Sequence, residues 1–218
     1  MTSSATMTII IGHKDTETGV MAGAQEYIAG YLRRSADALC KVAASTDLQA
    51  TVGAIADAIA RAMQRGNKLL IAGNGGSAAD AQHLAAEFLS RFAHHRRPLP
   101  ALALTTDTSV LTAIGNDYGF EHVFERQVRG LGQAGDVLLV ISTSGRSSNV
   151  IAGLKAARAI GIETIGLTGR NGGDLHTLCD LCLCAPSDET PIIQQVHIVA
   201  GHVICGLVEG AVASPEKA

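Results

Sequence analysis

A chain of 218 residues accommodates one large α/β domain and is too short for two independent enzymes. With 47% hydrophobic and 17% charged residues, 24 glycines and a formal net charge of −3, the composition suits an aliphatic core broken by glycine turns. It excludes a disordered chain and a nucleic-acid binder that works through a global basic field.

No apolar run reaches the roughly 18 to 20 residues of a membrane span, and the N-terminus lacks a basic region leading into an apolar stretch. The sequence therefore predicts a cytoplasmic protein with no membrane partner. Residues 1–21 mix Ser, Thr and a short Ile run without a period and are expected to form a flexible leader. The domain is expected over 22–213. Apolar residues then recur at three and four, as in Ile28, Leu32 and Ala36, or Val52, Ile55, Ile59 and Met63, which predicts two helices within 22–65.

After Gly66 the pattern changes to short aliphatic runs closed by Gly, Ser or Asp: KLLIAG, ALALTT, DVLLVIS, ETIGLTG and DLCLCA. Such runs read as parallel strands buried on both faces. Helical stretches between them, 77–92, 109–116, 121–131 and 147–160, predict a three-layer α-β-α sandwich around a parallel sheet of about five strands over 66–189. A last helix is predicted over 190–212. Ligands then belong at the carboxyl ends of the strands.

Three places carry candidate chemistry. The first strand runs into GNGGSAADAQHLAAEF, where Gly73, Gly75 and Gly76 permit a sharp turn and Asn74 and Ser77 offer polar groups. This is neither a dinucleotide fingerprint nor a P-loop, and a tight strand–helix turn alone would explain it. On the following helix His83 and Glu87, four residues apart, share a face as two metal ligands, as an acid and a base, or as a surface ion pair. The third strand enters STSGRSSNV, whose hydroxyls on Ser142, Thr143, Ser144 and Ser147 precede a helix N-terminus and favour a phosphate cradle. On the last helix Gln194 and His202 lie about 80° apart over two turns, with His197, about 60° from Gln194 on the other side, the less certain partner; a lone His in an apolar helix is by default a core residue, so the case for His202 rests on the other motifs.

Taken together, GNGGSAADAQHLAAEF, AIGNDYGFE, ISTSGRSSN, LTGRNGG and IIQQVHIVAGH resemble the phosphoheptose isomerase branch of the sugar isomerase (SIS) superfamily over nearly the whole chain. The resemblance implies an aldose–ketose isomerase that converts sedoheptulose 7-phosphate to D-glycero-D-manno-heptose 7-phosphate through an enediol, the first step toward nucleotide-activated heptose. It implies phosphate binding by Ser142, Thr143, Ser144 and Ser147. Sugar contacts would come from Asn74, Gly75, Gly76, Ser77, Asn116, Asp117 and Gln194. It further implies one Zn2+ per subunit on His83, Glu87, Gln194 and His202, with Glu87 as base, His202 as acid and Asp80 as an orienting group. A homotetramer, joined through its N-terminal helices and with active sites at subunit interfaces, follows from the same resemblance.

Two other readings remain. One is a non-catalytic relative that binds protein partners, such as the replication-initiator-associated type. The other is a sugar-phosphate sensor. The first would have no use for Glu87 and His202, and the second none for the four-residue ligand set. Five cysteines, three crowded at Cys179, Cys182 and Cys184, read as reduced thiols, the trio alternating with Leu as core residues of a strand.

Overall fold

The structure, a computed structural model, describes residues 14–212, with side chains from Met21 onward apart from Ala22. The first helix, α1 (Lys14–Ala44), begins inside the segment read as a leader, whose residues 1–13 lie outside the described residues. The chain divides into two compact units, 1–37 and 38–218, and the sheet, core and candidate site all belong to the second.

After α2 (Thr46–Gln64) come β1 (Leu69–Gly73), α3 (Gly76–Leu89), β2 (Ala101–Ala103), α4 (Thr108–Tyr118) and α5 (Val123–Leu131). The chain continues through β3 (Val137–Ile141), α6 (Ser148–Ala159), β4 (Glu163–Thr168), the single turn α7 (Leu175–Leu178), β5 (Leu181–Cys184) and α8 (Thr190–Val212). The five strands form one sheet in the order β2-β1-β3-β4-β5, parallel throughout. Strand order reverses between β1 and β3, whose carboxyl ends pair at Gly73 and Ile141. That reversal opens the crevice in which such sheets bind ligands.

Period-two alternation divides the core. Leu69, Ile71, Val137, Leu139 and Ile141 pack with α2, α3 and α8 on one face, while Leu70, Ala72, Leu138 and Val140 pack with α4, α5 and α6 on the other. This is why the strands read as unbroken aliphatic runs. Helix starts follow local capping: Ser45 accepts from Leu48 N–H at 3.2 Å, and Asp107 accepts from Val110 N–H at 2.9 Å.

Two differences from the sequence reading have physical causes. Helix α3 stops at Leu89 rather than Phe92, because the Arg96 guanidinium takes the carbonyls of Glu87, Phe88 and Ser90 at 2.9, 2.8 and 3.3 Å. Helix α8 is, by length and composition, apolar enough to span a membrane, against the expectation that no segment is. Half of that stretch is buried in the fold, as for a core helix.

Two buried carboxylates organise the ends of elements. Asp136 accepts from Lys68 Nζ at 2.6 Å and from the N–H groups of Lys68 and Gln133, fixing the start of β3 to the start of β1. Glu209, 1% exposed, accepts from Arg96 Nε and from the N–H groups of Phe92, Ala93 and His94. Burial pushes both carboxyls up, but these donors and cations outweigh it and hold them below their ordinary values. A depressed folded-state pKa gives stability that is complete above the unfolded value and lost as pH falls through the folded one. Replacing Glu209 by Ala should therefore cost about 3 to 5 kcal/mol at neutral pH, since it leaves Arg96 buried without its counter-charge. Urea melts should show this loss, together with a shallower decline in stability on acidification than the parent shows.

Candidate active site

At the crevice the backbone comes close enough that glycine is required at Gly73, where a Cβ would meet Ser77 O at 2.7 Å and Ile141 O at 3.0 Å. Gly75 takes a φ of +56° at the head of α3, and a Cβ on Gly76 would stand 2.5 Å from Gln194 Nε2. The Gln194 carboxamide thus lies against the first turn of α3. Across the strand reversal, Asn74 and Asn149 exchange two side-chain amide hydrogen bonds, both 2.9 Å, tying the β1 turn to the start of α6.

The hydroxyl-rich loop closes this space from the β3 side. Ser142 and Ser147 hydroxyls are 3.1 Å apart, and Ser144 Oγ accepts from Arg146 N–H at 3.2 Å. Gly145, at φ +64°, brings the loop against Gly172, whose carbonyl would be 2.2 Å from any added Cβ. The resulting cleft, about 260 Å³, is lined by Asn74, Gly76 and Ser77, by Ser142, Thr143, Ser144 and Ser147, and by Thr190 and Gln194. Ser147, the N-cap residue of α6, brings that helix's N-terminus to the edge of the cleft, where the Val150 N–H is already taken by Asn149 Oδ1 at 2.9 Å. Arg146, whose direction the sequence left open, lines an adjoining cleft of about 290 Å³ with Arg170.

The second assembly lies further along α3 and α8. His83 Nε2 stands 2.9 Å from His202 Nε2 and 3.4 Å from Glu87 Oε1, and all three donor groups fall within 4.8 Å of one another. Gly201 eases this approach: a Cβ there would meet Leu84 Cδ2 at 2.7 Å, so a larger residue would have to displace the buried Leu84 side chain between α3 and α8. Phe92 stacks at a tilt on His202, ring centroids 5.8 Å apart. Asp80, half-buried one turn before His83, has a carboxyl raised by burial and drawn partly back by His83, and its Oδ2 has no hydrogen-bond partner. Two imidazoles, a carboxylate and an orphaned second carboxylate suit a divalent metal of the zinc class. Tetrahedral zinc would hold two imidazole nitrogens about 3.3 Å apart, close to the observed spacing.

Not every sequence candidate joins these assemblies. Gln194 lies against the cleft, eight residues and about 12 Å of helix rise from His202. Asn116 and Asp117, bonded to each other at 2.8 Å near the end of α4, are exposed and do not line the cleft. His197 is fully buried, its Nε2–H donating to Thr168 O at 3.0 Å, and burial lowers its pKa to about 4, so it is the core residue that its setting suggests. Sequence reasoning missed Asn149, a polar residue 3% exposed just inside α6, and Thr190, which opens α8.

The SIS domain family matches residues 30–169. A protein of Bradyrhizobium sp. BTAi1 named phosphoheptose isomerase is 56% identical over 188 residues, covering 86% of this chain and 95% of the relative. One of Aneurinibacillus thermoaerophilus with the same name is 52% identical, covering 86% and 94%. Among solved structures, the phosphoheptose isomerase of Neisseria gonorrhoeae superposes with a TM-score of 0.78 at 43% identity, covering 86% of this chain and 99% of that one. That of Francisella tularensis gives 0.82 at 36%, covering 86% and 98%.

The close α3–α8 approach has a direct test. Gly201→Val should separate the helices at Leu84 and cost about 1 to 3 kcal/mol through overpacking. It should also erase the nuclear Overhauser contact between the His83 and His202 rings, which the parent should show.

Proposed function

Because this chain belongs to the SIS-domain family and, within it, to the phosphoheptose isomerases, we propose that the serine cleft and the His83–Glu87–His202 cluster are two ends of one active site. The protein is a sugar-phosphate isomerase that interconverts D-sedoheptulose 7-phosphate and D-glycero-D-manno-heptose 7-phosphate. The observation that carries the site assignment is the convergence of Glu87 and His202 on His83, at the far end of the helix whose first turn borders the phosphate cleft. From Ser77 to His83 α3 rises about 9 Å. An open-chain heptose 7-phosphate, eight bonds from C1 to phosphorus, spans about the same at roughly 1.2 Å per bond of extended chain.

In this reading Ser142, Thr143, Ser144, Ser147 and the α6 N-terminus hold the phosphate, while Asn74, Gly75, Gly76, Ser77 and Gln194 hold sugar hydroxyls. Glu87 removes a proton from C1 of the ketose, and the freed electron pair forms the C1–C2 double bond. His202 gives a proton to the C2 carbonyl oxygen, completing the enediol. Return of a proton to C2, with loss of the O1 proton to the neutral imidazole, leaves the aldehyde at C1. Asp80 and Phe92 hold the two imidazoles in place. His83, Glu87 and His202 would hold the zinc ion, while Gln194, expected from the sequence to be a fourth ligand, stays at the cleft with the sugar. When bound, the ion would supply positive charge against the negative charge that develops on the substrate oxygens. A non-catalytic scaffold would gain nothing from this convergence.

The assembly is proposed to be a cytoplasmic homotetramer. Val199, Val203 and Leu207 are 44%, 48% and 50% exposed along α8 and line an apolar groove of about 410 Å³ with Leu39, Val42 and Val52. A second copy of the chain covering this face would account for the apolar half of α8 that the fold leaves open. Exposed Asn116 and Asp117 would then serve a neighbouring cleft.

Incubation with sedoheptulose 7-phosphate in deuterated water should give aldose carrying deuterium at C2; no aldose and no label would sink the assignment. Glu87→Gln should slow turnover by about 10² to 10⁴-fold while leaving sugar-phosphate binding largely intact. Chelation should lower turnover, and indifference to a chelator would remove zinc from the reaction. Leu207→Glu should shift the sedimentation profile to smaller species.

A further inference from the structure

Away from the active site, the crossover from β4 to the edge strand β5 gathers a second set of metal-ligating side chains. Residues two apart on a strand face the same way, so Cys182 and Cys184 share one face of β5 while Leu183 between them points into the core at 1% exposure. The thiols read from the sequence as core residues are partly buried: Cys179 and Cys182 pack against the core on the side of the sheet opposite Leu183. The single turn α7 hangs over that face and presents His176, which is exposed.

His176 Nδ1 lies 3.8 Å from Cys184 Sγ, and Nδ1 and the sulfurs of Cys182 and Cys184 all fall within 4.8 Å of one another. Tetrahedral zinc, with bonds of about 2.3 Å to sulfur and 2.0 Å to nitrogen, sets those two ligand types roughly 3.6 Å apart. The backbone is shaped to admit the cluster. Gly172, at φ +69°, lies so close that a Cβ would meet His176 Cβ at 2.5 Å and Cys184 Sγ at 3.5 Å. A Cβ on Gly166 of β4 would meet Cys179 Sγ at 3.0 Å and Cys182 Sγ at 3.3 Å, which places the third thiol near Cys182 but outside the group whose donor atoms all lie within 4.8 Å of one another.

We propose that His176, Cys182 and Cys184 form a second metal site, for a thiophilic divalent cation of the zinc class, with a water as the fourth ligand. Soft thiolates with one imidazole select this class over magnesium or calcium, which prefer oxygen. An ion here ties α7 to the sheet edge. That turn also backs the phosphate loop, since the N–H groups of Asp174 and Leu175 both donate to Gly145 O, at 3.0 and 3.3 Å. The cluster is chemically distinct from the His83–Glu87–His202 group, which contains no sulfur.

That difference supplies the test. The reduced full-length protein, titrated with Co2+ in the absence of oxygen, should develop intense near-ultraviolet thiolate-to-cobalt charge-transfer absorption that saturates at one equivalent per chain. His83→Ala should leave these bands in place, while Cys182→Ser with Cys184→Ser should abolish them. His176→Gln, at an exposed position with little bearing on folding, should weaken the charge-transfer site roughly tenfold or more, as loss of a direct ligand does at least what loss of its supporting groups does. Cobalt-loaded parent protein without charge-transfer bands would overturn the proposal, as would bands that persist in the double serine variant.

Discussion

Arg96 and Glu209 meet in the interior, 3% and 1% exposed, and the rest of the site depends on that pair. Its carboxylate gathers three consecutive loop N–H groups, and its guanidinium takes four carbonyls, two of them on the last turn of α3. A buried ion pair adds little net stability when every donor and acceptor is matched, but it costs several kcal/mol to break. Its effect is to fix geometry. The last turn of α3, with Glu87, is locked to the far end of α8, and Gly201 eases the approach of the two helices that leaves His83 and His202 2.9 Å apart.

The two ends of the active site solve different electrostatic problems. At the phosphate end a chain of net charge −3 cannot draw an anion by its overall field. In the proposed site the hydroxyls and the N-terminus of α6 would do this locally, and the Asn74–Asn149 pair ties the β1 turn to the start of α6. At the other end the chemistry needs a carboxylate and imidazoles close together in a half-buried setting. Asp80, its carboxyl raised by burial and one oxygen without a hydrogen-bond partner among the described residues, stands one turn before His83 and is consistent with the metal proposed for this end.

Much of this was legible in the sequence because it depends on local rules. Aliphatic runs bounded by glycine encode strands buried on both faces, and three-to-four spacing encodes the helices between them. The i,i+4 relation is enough to put His83 and Glu87 on one helix face. His197 shows the limit of such reading. It lies on the same helix as Gln194 and His202, and only packing against Thr168 assigns it to the core.

What the sequence determined by itself was the layer order, the sheet type, the hydroxyl loop and the list of candidate side chains, since each follows from chain neighbours within a turn or two. The tertiary structure alone decided which candidates meet: His83 with His202 across 119 positions, Asn74 with Asn149 across 75, and His176 with the β5 thiols. It also decided which do not, leaving Asn116 and Asp117 outside the cleft of their own chain. Meetings of that kind depend on how closely helices and loops can approach, which here is eased by Gly73, Gly172 and Gly201, residues whose role lies in the side chain they lack.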